Sequence, residues 1–194
     1  MDDRQLSAMV ASRICHDLIS PIGAISNGLE LMSLSTDPGD EVDLVSRSVA
    51  NAQARIRFFR LAFGNAPAEQ ALPSGEVAAL LDEMTAEART GFDWRVTGRQ
   101  PRPEVRAALL AMLCCETALP TGGTVRVVPD GDRWWIEGRG PRIDSAPEPW
   151  EMLEGTPAVV TPATVQFALL PQALEDIGSD ARVQVSERAI AISF

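Results

Sequence analysis

Two apolar stripes limit the folds open to this sequence. In each stripe, apolar residues recur at alternating spacings of three and four positions, the period of one face of an α-helix. The stripes comprise Cys15, Leu18, Ile22, Ile25, Leu29 and Met32, and then Val42, Val45, Val49, Ala52, Ile56, Phe59 and Phe63. Residues 35–40 between them are turn-forming. We therefore predict two antiparallel helices with coiled-coil-like seams.

The predicted hairpin buries little apolar surface by itself, because only two helices contribute to it. A repeat close to 3.5 residues favours a left-handed supercoil with further helices. We therefore expect the hairpin to pair with a second copy of the chain. The result is a homodimer held by a four-helix bundle.

The rest of the chain has a different pattern. Residues 65–75 are rich in Pro, Ala and Gly and predict a linker. Helices are predicted at residues 76–89, 103–119 and 163–177, and strands at residues 92–97, 124–128, 133–137, 182–186 and 189–193. Pro171 is expected to kink or end the last helix. The chain is thus predicted to be α+β, with a helical-hairpin domain at residues 1–66 and an α/β sandwich domain at residues 67–194.

Composition excludes several classes of function. The net charge of −10 argues against binding nucleic acid, which requires a basic face. All 17 basic residues are Arg, so a Walker-type phosphate loop and a Schiff-base lysine are excluded. One His and three scattered Cys predict no metal site. No apolar run reaches membrane-spanning length, and we predict a cytoplasmic protein without a membrane partner.

His16, the sole histidine, lies one position away from the first apolar stripe. Its imidazole is therefore expected to face water. Taken alone, it is most simply explained as a surface histidine without a role. Its context differs from that of an ordinary surface residue, because Asp17 follows it, Ser20 lies one turn later and Pro21 interrupts the same helix. Proline inside a helix loosens the preceding turn, which contains His16 and Ser20.

Residues 16–21 resemble the H-box of the dimerisation and phosphotransfer domain of histidine kinases, with an acidic residue after His and Pro five positions on. The wider run, residues 12–31, is similar to the ChpT-type histidine phosphotransferases of alphaproteobacterial cell-cycle phosphorelays. The resemblance implies that His16 carries a phosphoryl group from the receiver domain of a hybrid histidine kinase to response-regulator receivers. It also implies that Asp17 acts as an acid, base or orienting group and that Ser20 supports transfer and dephosphorylation.

Hairpin geometry predicts a surface for those partners beside His16. Antiparallel helices joined near residue 37 bring together positions whose numbers sum to roughly 74, because both rise at the same rate. This places arginines of the second helix beside His16, although a solvated helical face explains them equally well. Small side chains on both helices suggest a shallow groove for a partner helix. The residues expected to bind partners are Ile19, Gly23, Asn27, Asn51, Ala54, Arg55 and Arg57.

The second part of the chain resembles the ATP-binding domain of histidine kinases in its order of elements, with the nucleotide-binding residues lost. Gly138 stands where that family has the adenine-binding Asp, Arg142 replaces a glycine, and Gln166 lies in the second glycine box. We therefore expect no ATP, no cofactor, and magnesium supplied by the partner receiver. Two alternatives remain open: a non-catalytic dimeric adaptor, and an ATP-dependent kinase with divergent boxes. A sporulation-type phosphotransferase shares the architecture.

Overall fold

The computed structural model describes residues 2–34, 39–86, 88–131 and 133–194. Its helices are α1 (Asp3–Leu34), α2 (Gly39–Ala62), α3 (Ser74–Thr85), α4 (Arg102–Thr117), α5 (Pro147–Glu151) and α6 (Val165–Glu175). Its strands are β1 (Ala71–Pro73), β2 (Thr90–Trp94), β3 (Arg99–Pro101), β4 (Gly123–Asp130), β5 (Arg133–Arg139), β6 (Arg182–Val185) and β7 (Ala189–Ser193). Most of the predicted loop, residues 35–38, and position 132 of the predicted β4–β5 turn lie outside the described residues.

Helices α1 and α2 form the predicted antiparallel hairpin. They pack tightly at Gly28, where an added Cβ would lie 2.6 Å from Val45 Cγ2. The first helix begins earlier than its apolar stripe indicates, and Asp2 caps it by accepting a 2.7 Å hydrogen bond from the Gln5 amide. This additional length carries its own apolar side chains, which pack against the core of the second part of the chain: Leu6, Met9, Val10 and Ile14.

A mixed five-stranded sheet in the order β2-β4-β5-β7-β6 forms the second part of the chain. Strands β2 and β4 are parallel, and the other neighbours are antiparallel. One face is apolar and lies under α4, because alternate side chains of each strand point to the same side. The buried residues of that face include Val125, Val127, Ile136, Ile190 and Ile192. The predicted α+β class, with an N-terminal helical hairpin and a C-terminal sheet, is confirmed.

The predicted linker at residues 65–75 is wrong in its second half. Strand β1 lies there and pairs with β3, with Leu72 opposite Gln100. Each of these strands ends in a proline, Pro73 or Pro101, directly before a helix begins. The backbone of proline donates no hydrogen bond, but proline is tolerated at the ends of edge strands. The proline-rich composition therefore predicted a linker where a short pair of strands forms.

Other element boundaries differ from the prediction by a few residues. Strand β2 ends at Trp94, and α3 ends at Thr85, so both predicted elements were set too late. Pro171 lies inside α6 without ending it. Helix α5 and the 3₁₀ turn Met152–Glu154 were not predicted, because neither is long enough to show a period.

The hairpin and the second part of the chain share one core. Phe58 and Ala62 of α2 are completely buried within it. Arg102 at the start of α4 is also buried, and its Nη2 donates a 3.1 Å hydrogen bond to the Arg60 carbonyl in the last turn of α2. Burial lowers the pKa of Arg102, and the positive charges of Arg106 and Arg60 lower it further. This hydrogen bond stabilises the C-terminal end of α2, because a cation placed there interacts favourably with the helix dipole.

The proposed domain boundary between residues 66 and 67 stays a prediction. Among the described residues, no helix is both long and apolar enough to cross a membrane.

Candidate functional site

His16 lies in the middle of α1, and its side chain is 83% exposed. The predicted exposure of the imidazole is therefore confirmed. Its Nδ1 atom lies 3.0 Å from Asp17 Oδ1. An ionised carboxylate only accepts hydrogen bonds, so Nδ1 carries the ring proton in this contact. The lone pair of the neutral ring is then on Nε2, which is the nucleophilic position.

Asp17 is held on both carboxylate oxygens. Its Oδ2 accepts a 2.6 Å hydrogen bond from Arg13 Nε, one turn earlier on α1. The side chains of Arg13 and Asp17 are only 18% and 14% exposed, in contrast to the imidazole beside them. Arg13 was not among the predicted site residues. Its spacing of four residues from Asp17 was the available signal, since oppositely charged side chains at that spacing meet on a helix.

A segment of the second part of the chain lies beside His16. Arg13 Nη1 donates a 3.1 Å hydrogen bond to the Ala163 carbonyl, in the 3₁₀ turn Pro162–Thr164. Between this turn and α1 is a cleft of about 410 Å³. Its lining residues are Ser12, Arg13, His16, Asp17, Thr161, Pro162 and Ala163. Sequence reasoning did not find this side of the site.

Pro21 and Ser20 occupy the turn that follows His16. Pro21 is buried within α1, which continues through it. Because proline has no N–H, the Asp17 carbonyl loses its usual helical donor. Ser20 is exposed and contributes to a cleft of about 190 Å³ between α1 and α2. Arg55 lines the same cleft as Ser20. The hairpin geometry predicted arginines of α2 beside His16, but the cleft that His16 itself lines contains no described residue of α2.

The three α1 residues that were predicted to bind partners are exposed. Ile19 is 67% exposed, and Gly23 and Asn27 are also exposed. A Cβ added to Gly23 would meet no atom within 4 Å, so packing within this chain does not explain the glycine. Gly28 differs, because the close contact with Val45 explains it.

On α2, the prediction of an open groove is wrong. Ala54 is completely buried and cannot line a surface. Asn51 donates a 3.1 Å hydrogen bond to the Met84 carbonyl of α3. Arg57 of α2 forms an ion pair with Glu83, which also lies on α3. At these positions, therefore, α3 of the same chain packs against the small and polar side chains of α2. A helix of a partner protein was expected there.

Arg55 belongs to a charged cluster beneath the site. Its Nε donates a 2.9 Å hydrogen bond to Asn51 Oδ1. Arg55 also lines a cavity of about 340 Å³ together with Arg13, Asp17 and Glu116. Burial raises the pKa of Glu116, the charge of Asp17 raises it as well, and Arg13 and Arg55 act in the opposite direction.

Within the described ranges, no group of three or more His, Cys, Asp or Glu side chains is placed to hold a metal ion. Cys114 and Cys115 are buried in α4, and burial raises the pKa of the Cys115 thiol to about 12. Both thiols therefore belong to the core, where they are unreactive as nucleophiles near neutral pH.

Comparisons with known proteins agree with the sequence resemblance. Protein phosphotransferase ChpT of Brucella abortus (strain 2308) is 37% identical over 128 residues, which are 65% of this chain and 61% of that protein. The match thus spans less than two thirds of the relative's length. A solved structure of a bacterial phosphotransferase covers 100% of this chain and 97% of its own, with a TM-score of 0.80 and 30% identity.

The sequence model of a protein family, the histidine phosphotransferase C-terminal domain, matches residues 74–189, which is more than half of the chain. The matched range begins with α3 and ends at Ala189, the first residue of β7, so it covers the strands from β2 to β6. The resemblance inferred from residues 12–31 is therefore confirmed by a different part of the sequence, and the chain belongs to the ChpT-type histidine phosphotransferase family.

Proposed function

We propose that this protein accepts a phosphoryl group on His16 from the aspartate of a receiver domain and passes it to the aspartate of a response regulator, without ATP. One observation carries the proposal: the imidazole is 83% exposed, while its Nδ1 is held 3.0 Å from the Asp17 carboxylate. This arrangement leaves Nε2 as the accessible nucleophile.

The transfer step needs little from this chain besides position and charge. Nε2 attacks the phosphorus of an aspartyl phosphate, the N–P bond forms, the P–O bond breaks, and the receiver carboxylate leaves. The ring then carries a positive charge, which the Asp17 carboxylate stabilises through the Nδ1 proton. In the second step another receiver's carboxylate attacks phosphorus, and the neutral imidazole is regenerated. The receiver's own divalent cation neutralises the phosphoryl oxygens.

The exposed part of α1 is the proposed docking surface for receivers. Ile19 supplies an apolar contact next to His16, and Gly23 and Asn27 lie one and two turns further along. The absence of a side chain at Gly23 lets a partner helix approach closely. Asn51, Arg55 and Arg57 of α2 now have partners within the chain, so their contribution to docking is secondary to that of α1.

A homodimer is proposed from a row of exposed apolar side chains on the hairpin. Ile22 and Leu29 on α1 are seven residues apart, as are Val42, Val49 and Ile56 on α2. All five are between 37% and 55% exposed in the single chain. Seven-residue spacing on neighbouring helices forms one continuous seam, which a second hairpin would bury as a four-helix bundle.

Two positions support a protein that does not use ATP. At Gly138, a Cβ would lie only 3.2 Å from the Cys115 Cβ of α4, so an aspartate there would require α4 to shift. Gln166 is completely buried and donates 2.8 Å and 3.0 Å hydrogen bonds to Thr117 Oγ1 and the Ala163 carbonyl. It thereby joins α6 to α4 where the resemblance to kinases placed a glycine box.

Radiolabel transfer tests the proposal against its alternatives. Label on the aspartate of a phosphorylated receiver should move to the wild-type protein, and not to His16→Ala, whose fold is preserved because the side chain is exposed. Labelled ATP and magnesium alone should transfer nothing. Binding of the receiver without movement of label would favour the adaptor, and labelling by ATP would favour the kinase.

A further inference from the structure

We propose that Arg13 is a positioning residue for the phosphoacceptor: it fixes the Asp17 carboxylate against His16 and anchors that carboxylate to the second part of the chain. The inference rests on the phosphotransfer function proposed above and adds a residue to it. Three consecutive hydrogen bonds connect the Ala163 carbonyl, Arg13, Asp17 and the His16 ring.

The first consequence is a fixed orientation of the carboxylate. Because Oδ2 accepts from Arg13 Nε at 2.6 Å, the carboxylate cannot rotate without losing a charge-assisted hydrogen bond. Oδ1 therefore stays directed at His16 Nδ1, 3.0 Å away. Arg13 and Asp17 are largely shielded from water while the imidazole is exposed, so the pair supports the exposed ring from beneath.

The second consequence is a connection from this support to the sheet domain. The Ala163 carbonyl accepts from Arg13 Nη1 at 3.1 Å and also from Gln166 Nε2 at 3.0 Å. Gln166 is completely buried and bonded to Thr117 of α4. The packing of α6 on α4 therefore sets the position of the carbonyl that holds Arg13.

Arginine is suited to this role because its guanidinium donates in several fixed directions. Nε faces Asp17 while Nη1 faces Ala163, so one side chain spans two acceptors. The single ammonium of lysine preserves the charge but lacks the planar fork that holds two separate acceptors. Arg13→Lys should therefore rescue only part of the function.

Single-turnover transfer from a phosphorylated receiver tests this role. Arg13→Ala should lower the rate at saturating receiver about 10- to 100-fold, because a misplacement of about 1 Å at a reacting group can cost about 10²-fold. The receiver concentration that gives half the maximal rate should change little, because Arg13 is mostly shielded. Arg13→Lys should be intermediate. Arg4→Ala, which removes the same charge from an exposed position of α1, is the matched control and should transfer like the wild type.

The sole histidine provides a second measurement that needs no partner. In ¹⁵N NMR of the neutral ring, the wild type should show mainly the Nδ1–H tautomer, and Arg13→Ala a mixture of both. An unchanged tautomer and an unchanged maximal rate in a folded Arg13→Ala or Arg13→Lys protein would overturn the positioning role. A wild-type protein that accepts no phosphate overturns the phosphotransfer function itself, and this role with it.

Discussion

The His16 imidazole is exposed, and in the proposed mechanism its reactivity depends on the single carboxylate of Asp17. Replacing Asp17 with Asn removes the charge that orients Nδ1–H and stabilises the phosphorylated ring. We expect Asp17→Asn to accept phosphate about 10²- to 10⁴-fold more slowly, the range for lost acid–base or orienting assistance. Rapid-quench transfer from a phosphorylated receiver measures this, with Asp3→Asn at the exposed start of α1 as control. A wild-type rate in Asp17→Asn would make the 3.0 Å contact incidental.

Glu116, beneath the site, gives a prediction about pH. Burial raises its pKa above the ordinary 4.5, so the folded protein holds this proton more tightly than the unfolded chain does. Its contribution to stability is therefore greatest below pH 4.5 and is lost as pH rises through the raised pKa. Glu116→Gln should remove this loss and so raise the Tm at pH 8 relative to the wild type.

Thermal melts of the wild type and Glu116→Gln between pH 4 and pH 8 test this sign. The Tm difference between the two proteins should grow with pH. Glu151→Gln, at an exposed carboxylate of α5, is the control and should show a constant difference. A gap that narrows as pH rises would mean that Arg13 and Arg55 outweigh burial at Glu116.

Local spacing predicted the residues that share a turn of α1, and it failed for contacts across the molecule. His16, Asp17 and Ser20 stand within five consecutive positions, so one motif contains them all. The Ala163 carbonyl lies 150 residues from Arg13, and a backbone acceptor has no signature in a sequence. Ala54 and Asn51 were wrongly predicted to line an open surface for the same reason. Helix α3 packs over them, and no pattern in the sequence of α2 indicates that contact.

Among the elements, the first helix of the hairpin contains two glycines in different surroundings, Gly23 and Gly28. Gly28→Ala should destabilise the protein by about 1–3 kcal/mol, because the new methyl overlaps Val45, whose branched side chain is stiff in a helix. Gly23→Ala should stabilise it by up to about 1 kcal/mol, since alanine favours helix and the site is open. Urea denaturation of the two variants forms a matched pair on one helix. Equal effects would contradict the packing shown at Gly28.

Elements with a clear period were predicted well and elements defined by pairing were not. The long stripes gave α1 and α2, and alternating residues gave the β4–β5 and β6–β7 hairpins. The β1–β3 ladder depends on hydrogen bonds between two three-residue segments, each of which ends in proline. Propensity predicts a linker there, and only the tertiary position of α3 and α4 brings the strands together.

For the whole molecule, the exposed seam of the hairpin leads to a prediction about assembly. Val49→Glu should convert the proposed dimer to a monomer, because an unpaired charge in a buried interface costs several kcal/mol. Sedimentation equilibrium measures this directly. Val159→Glu is the control, since Val159 is 84% exposed and lies outside the hairpin. An intact dimer in Val49→Glu would place the interface in another part of the molecule, and a monomeric wild type would exclude the bundle.

The proposed function requires that the phosphoryl group reside on His16, and NMR of the ¹⁵N-labelled protein can locate it. The protein should be incubated with a phosphorylated receiver in the absence of ATP. Because the chain has one histidine, the imidazole signals belong to His16 alone. We predict phosphorus coupled to Nε2, with the proton retained on Nδ1 beside Asp17. An unmodified ring while the receiver loses its phosphate, or phosphorus on any other side chain, would contradict the assignment of His16 as the phosphoacceptor.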